Sequence, residues 1–344
     1  MRTFIRQLLA AAACAFAAGT APAQTPAAPL KFKWGLPSAD YYAVYVAKDH
    51  GLFKEAGLDP EFFFFASGAP LLAGLKSDSL DVITTGLATV FALGQNIPLK
   101  MLYWELDHAA AEALVVDPKA GIHSAEDLPK AKAIGAPSGT CAQVSLVLMA
   151  RKLGTKMSDL SVVNIAPPLY GNAFASGAIQ AGIAWSPFSQ SLSQQGYKVA
   201  GWATDYTPHG GVCPGMTAAR PAFLEKNPDA GLRLVQVKAK AMDMIAKNPN
   251  LAIDALVKNV GISREVAKAA YEREFARIPS FEQQIDPKSP FSMTAPGQGL
   301  ALKFQVASEA LAAAGSIPAP LSPKVIADAI DPSHLQRYMR GERK

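Results

Sequence analysis

The stretch "HGLFKEAGLDPEFFFFASGAP", residues 50–70, places a helix end, three glycines and four consecutive phenylalanines in one short span. Gly51 reads as the stop of a helix carrying Tyr41, Val44, Tyr45 and Lys48 at helical spacing, and Gly57 as the stop of a shorter turn around Phe53–Ala56. Phe62–Phe65, closed by Ser67-Gly68 and Pro70, reads as a strand. Successive side chains of a strand point to opposite faces, so four phenylalanines in a row demand apolar cover on both. The expectation is a strand in a parallel sheet packed between helices, rather than a membrane contact.

The flanking sequence extends that pattern. Strands are expected at 30–36, 81–85 and 99–104, with helices near 70–75 and 86–93 between them. Such alternation implies a parallel sheet with helices on both faces. After a strand at 112–116 and the Asp117-Pro118 break, the alternation restarts, with strands at 131–136, 160–165, 179–185 and 198–203 and a helix at 140–153 closed by Gly154. "GLKSDSLDVITTG" (74–86) and "AFASGAIQAGIAW" (173–185) share one unit: a helix end, a turn of small residues, then a buried strand. From Asn227-Pro228 onward the pattern is helical, with Val235, Met242, Ile245, Leu251 and Leu256 at helical spacing.

Length and composition agree with two globular units. The chain has 344 residues, half of them hydrophobic and 18% charged. Arg2 and Arg6 precede an apolar run at 8–18 and the small residues Ala21-Pro22-Ala23, the pattern of a cleaved signal peptide over 1–23 and hence of a periplasmic protein. Cys14 raises a lipoprotein reading, but Ala11 stands where a lipobox has leucine. Without Arg2 and Arg6 the formal charge falls from +5 to +3, and no basic block supports nucleic-acid binding. The remaining cysteines, Cys141 and Cys213, have no metal-type spacing. A disulfide and two separate buried thiols both stay open, because sequence does not say whether their Cα atoms approach.

In open α/β sheets ligands bind beyond the carboxyl ends of the strands. The loops there are 36–40, 66–68, 84–87, 103–105, 137–140, 185–187 and 209–211, rich in hydroxyls, glycine and aromatics and poor in charge. Those around Ser67-Gly68, Thr85-Gly86 and Ser138-Gly139-Thr140 each open a helix, whose first N–H groups lack acceptors and suit an oxyanion; helix capping is the plainer role for the same hydroxyls. Tyr103 and Trp185 can stack on a ligand or pack in the core. His209 is the one histidine in a candidate loop, while His108 reads as part of a polar turn. No P-loop, nucleophile elbow or H-E-x-x-H motif occurs, and no enzymatic role, cofactor or metal site is expected.

In order and spacing, Gly51-Leu52-Phe53, Ala56-Gly57-Leu58, "SGAPLLAGLKSDSLDVITTG" (67–86), "EALVV" (112–116), "SAEDL" (124–128), "GAPSGTCAQVSLVLMARKLG" (135–154) and "VNIAPPLYGNAFASGAIQAGIAWSPF" (163–188) resemble the periplasmic solute-binding proteins of ABC importers for taurine, alkanesulfonates and nitrate. The resemblance implies the two-lobe type II binding-protein fold, with lobe I at 30–115 plus 214–344 and lobe II at 116–213. It implies a monomer that captures a small organic anion between the lobes and delivers it to a membrane permease. Ser67, Thr85, Ser138, Gly139, Thr140 and Trp185 match the family's substrate-gripping positions, with Ser38 and His209 as further candidates. Taurine-type members need an acid for the ligand's amine, and "HGGVCPGMTAA" (209–219) has none. Glu105 or Asp40 would have to replace it; otherwise a sulfonate or carboxylate without an amine, including an aromatic one, fits better. A second implication is a protein that binds or makes the thiamine pyrimidine precursor. The relatives that make it resemble cysteine- and histidine-rich iron-binding chains, from which this sequence departs.

Overall fold

The computed structural model describes residues 28–342; the signal-peptide expectation, at 1–23, lies outside them. Among the described residues, ten strands form two five-stranded sheets. In chain order they are β1 (Leu30–Pro37), β2 (Leu58–Phe65), β3 (Val82–Thr85), β4 (Lys100–Asp107), β5 (Ala113–Val116), β6 (Ile134–Gly135), β7 (Val162–Val163), β8 (Ala181–Ala184), β9 (Lys198–Trp202) and β10 (Pro214–Ala219). The first sheet has the order β2-β1-β3-β10-β4 and the second β7-β6-β8-β5-β9. Both are flanked by helices and mostly parallel, as expected.

The exception in each sheet is one reversed strand. β10 runs antiparallel to β3 and β4, and β5 antiparallel to β8 and β9. These are the strands on which the chain arrives from the other sheet. A strand entered from the neighbouring unit, without a covering helix to return the chain, runs opposite to its neighbours. The two crossings lie side by side: the His108 N–H, on the first, donates to the Cys213 carbonyl, on the second, at 3.0 Å.

The phenylalanine run forms a strand, but not a doubly buried one. β2 is the outermost strand of its sheet, and Phe64 is 46% exposed. Phe62 stacks on Trp34 at 5.5 Å and Phe64 on Tyr45 at 6.3 Å. The run thus caps the sheet edge, while full burial on both faces belongs to β3, where all four residues are buried. β6 and β7 shrink to two residues each, and Val162 and Val163 on edge strand β7 are exposed.

The C-terminal helices serve both sheets. Ala230–Lys247 and Asn250–Val260 pack on Tyr42–Asp49 beside the first sheet, whereas Arg264–Glu274 meets Phe188–Gln194 and Gly299–Ala313 meets Cys141–Lys152 beside the second. Lys238 of the first of these helices reaches the first sheet, where its Nζ lies 2.6 Å from Glu105 Oε2 with both side chains buried.

Candidate functional site

The carboxyl ends of β1, β3 and β8 converge with both crossings on one cavity. Its walls are Pro37, Ala39, Tyr41, Gly68, Thr85, Gly86, Leu87, Ala88, His108, Thr140, Cys141, Trp185 and Cys213. The cavity volume is about 30 Å³, room for an oxyanion head and little more. Neither lysine, arginine nor a carboxylate is among the lining residues.

Of the residues expected from the sequence, Gly68, Thr85, Gly86, Thr140 and Trp185 line this cavity. Gly68 lets the two loops of the first sheet touch, because a Cβ there would stand 2.3 Å from Thr85 Oγ1. Thr140 precedes the helix Cys141–Lys152 with extended backbone, and its hydroxyl donates to the Pro137 carbonyl at 2.6 Å. That leaves the helix's first N–H groups without a side-chain cap. Trp185, followed by a cis Ser186–Pro187 peptide, donates its indole N–H to the Ser38 carbonyl at 3.2 Å. Ser38 therefore joins the two sheets' loops through its backbone. Gly139, with φ +70°, lets a second contact form: a Cβ there would lie 2.2 Å from Phe91 Cδ1 of the first sheet's helix Ala88–Gly94.

Other expected residues stand apart. Ser67 is buried beside Gly68 but outside the lining, and the Ser138 N–H donates to Asn164 Oδ1 at 3.0 Å. Tyr103 is buried in β4 with Lys238 Nζ 5.5 Å from its ring centre, so it belongs to the core. His209 is exposed on the second crossing. Glu105 is held by Lys238 and by the Thr217 hydroxyl at 2.5 Å, which leaves it no role toward a ligand amine. Cys141 and Cys213 form a disulfide, sulfur to sulfur 2.10 Å, that makes one wall of the cavity.

His108 is the functional candidate that sequence reasoning missed. β4 runs on to Asp107, so His108 stands at a strand's carboxyl end rather than in a polar turn. Its ring lines the cavity, edge-on to Tyr41 at 5.3 Å. Nδ1 lies 3.0 Å from Asp40 Oδ1 and 3.7 Å from Glu274 Oε1. The approach to Asp40 is a charge contact without the direction of a good hydrogen bond. Burial alone would pull the imidazole pKa down, but Asp40, then Asp107 and Glu112, raise it above its usual value. Asp40 faces His108 and is not among the lining residues. Nearby, burial pushes the Glu112 carboxyl up to about 7, against the pull of a hydrogen bond from the Ser145 hydroxyl and the charge of His108.

The chain resembles known proteins over much of its length. It is 29% identical over 206 residues to a Bacillus subtilis protein named for binding aliphatic sulfonates, covering 57% of this chain and 60% of that one. It is 26% identical over 204 residues to the taurine-binding periplasmic protein of Escherichia coli, covering 59% and 62%. Among solved structures, the alkanesulfonate-binding protein of Xanthomonas axonopodis pv. citri bound to MOPS has the same fold, with a TM-score of 0.73 at 18% identity over 89% of this chain and 99% of that one. The profile of the family described as NMT1/THI5 like matches residues 38–252, and the chain belongs to that family.

Proposed function

We propose that this chain is the periplasmic solute-binding component of an ABC importer. It holds a small organic anion, a sulfonate or carboxylate, between the two sheets and delivers it to a membrane permease. The observation that carries the reading is the cavity itself, closed by loops from both sheets and offering N–H groups and hydroxyls but no lysine or arginine. The start of the helix Cys141–Lys152 supplies backbone donors aligned with the helix dipole, and the Thr85 hydroxyl adds a further donor, whereas that of Thr140 is spent on the Pro137 carbonyl. The names of the sulfonate- and taurine-binding relatives support the same ligand class.

The walls also favour a ligand without an amine. An ammonium buried without a carboxylate or carbonyl acceptor is strongly disfavoured, and no carboxylate lines the cavity. Trp185 and the disulfide give the anion's carbon skeleton an apolar surface instead. A tail larger than the present space holds the two sheets further apart. Titration calorimetry with taurine, short alkanesulfonates and aryl carboxylates tests this. Alkane or aryl anions binding tighter than taurine are expected, and Thr85→Ala and Trp185→Ala should each weaken them about tenfold, the loss of one charge-assisted hydrogen bond or of stacking. Taurine binding tightest refutes the amine-free preference, and no binding across the panel refutes the importer reading.

A further inference from the structure

We propose that Asp40, His108 and Glu274 form a binding site for one divalent transition-metal ion behind the ligand cavity. The three come from separate parts of the fold: the loop after β1, the first crossing, and the end of the helix Arg264–Glu274. One donor atom from each lies within 4.8 Å of the other two. All three side chains are buried, at 0% for Asp40 and Glu274 and 4% for His108.

Most of their side-chain polar atoms have no partner; the exception is Asp40 Oδ2, which accepts from the Tyr42 hydroxyl at 3.5 Å. Asp40 Oδ1, both ring nitrogens of His108 and both carboxylate oxygens of Glu274 lack hydrogen-bond partners. A buried carboxylate normally finds a cation or several N–H donors. The nearby cations are engaged elsewhere: Arg277 lies 2.5 Å and Lys303 3.6 Å from Asp107. Two carboxylates against a single imidazole therefore leave negative charge uncompensated, which a metal ion would balance.

The spacing suits a metal. Ligand bonds of about 2.0–2.2 Å in tetrahedral or octahedral geometry set neighbouring donors roughly 3.0–3.5 Å apart, and the separations from Nδ1 are 3.0 and 3.7 Å. Nδ1 is the nitrogen that faces the acids, whereas Nε2 lies against Gly215, where a Cβ would stand 2.8 Å away. One imidazole with two carboxylates suits zinc, manganese or ferrous iron better than calcium or magnesium, which take oxygen donors. Such an ion would pin the C-terminal helix to the crossing between the sheets, so its effect would be structural.

The test is to strip the purified chain with EDTA, add zinc or manganese chloride, dialyse, and measure metal per chain together with the thermal midpoint. The expected result is one equivalent retained, with a higher midpoint that EDTA abolishes. Asp40→Asn and Glu274→Gln should each lower affinity tenfold or more while circular dichroism stays native. Should either variant fail to fold, cobalt substitution of the wild-type chain supplies an independent reading, since imidazole and carboxylate ligation produces visible absorption bands. Trace metal only, equal retention by folded variants, or a cobalt spectrum of the hexa-aquo ion overturns the site, and the three groups then share protons instead.

Discussion

Gly139→Ala separates what the contact between the sheets contributes to binding from what it contributes to folding. Gly139 has φ +70°, and a Cβ built on it stands 2.2 Å from Phe91 Cδ1 and 2.6 Å from Cε1. Carbon atoms settle about 3.5–4.0 Å apart, so contact requires the ring to leave its rotamer or the two loops to separate by more than an ångström. The left-handed conformation costs an alanine about 1 kcal/mol whether or not the loops touch, and it should appear as lost stability in urea unfolding. The steric conflict exists only when the loops close. An off-rotamer ring costs roughly 0.5–1.5 kcal/mol, and loss of the closing contact adds to it, so affinity for the best ligand of the panel should fall about tenfold. Phe91→Ala in the same chain removes the conflict and should recover most of the affinity without recovering the stability. A folded Gly139→Ala chain with lower stability but unchanged affinity would refute the idea that these loops meet when ligand is held.

Three further outcomes follow from buried groups. The folded pKa of Glu112 is raised from 4.5 to about 7, so the fold favours its protonated form. Its stabilising effect is complete below about pH 4.5 and is lost as pH rises through 7, by up to ~3 kcal/mol; the urea midpoint should fall between pH 5 and pH 8, less steeply in Glu112→Gln. The Cys141–Cys213 disulfide closes a loop with a sequence separation of 72, so Cys141→Ser with Cys213→Ser should lower unfolding stability by about 2–4 kcal/mol, measured against wild type under non-reducing conditions. Lys238→Met leaves the Glu105 carboxylate buried beside Thr217 without its cation and should cost about 3–5 kcal/mol, most of it restored by adding Glu105→Gln; equal loss in single and double variants would count against a charge effect.

The alternation of apolar runs with helical periodicity sufficed to foresee two sheets and most of their elements, because both signals are local. Strand direction is not local. β5 and β10 have ordinary apolar sequences, and only the path of the chain between sheets reverses them. The phenylalanines illustrate a second limit: an apolar run requires cover, but the topology decides that β2 is outermost and that part of the cover is Tyr45. The strand-end rule pointed to Gly68, Thr85, Gly86, Thr140 and Trp185, which line the cavity. It missed His108 because Glu105 and Asp107 made the end of β4 look like a turn. Those acids are buried because Lys238, Arg277 and Lys303, from helices and turns far along the chain, neutralise them. Nothing in the local sequence announces such partners.

The disulfide also bears on the order of events during capture. Cys213 sits on a crossing, the part of the chain that moves least if the two sheets swing apart, and Cys141 begins the helix whose N–H groups face the cavity. Bonding one to the other keeps that helix start close to the axis of any such swing. The donors at Thr140 and Cys141 would then keep nearly the same place with the mouth open or shut, while the contacts between the sheets, Trp185 to the Ser38 carbonyl and Gly139 to Phe91, would make and break. An arriving anion would meet a finished half-site first, and the apolar jaw would select among tails only afterwards.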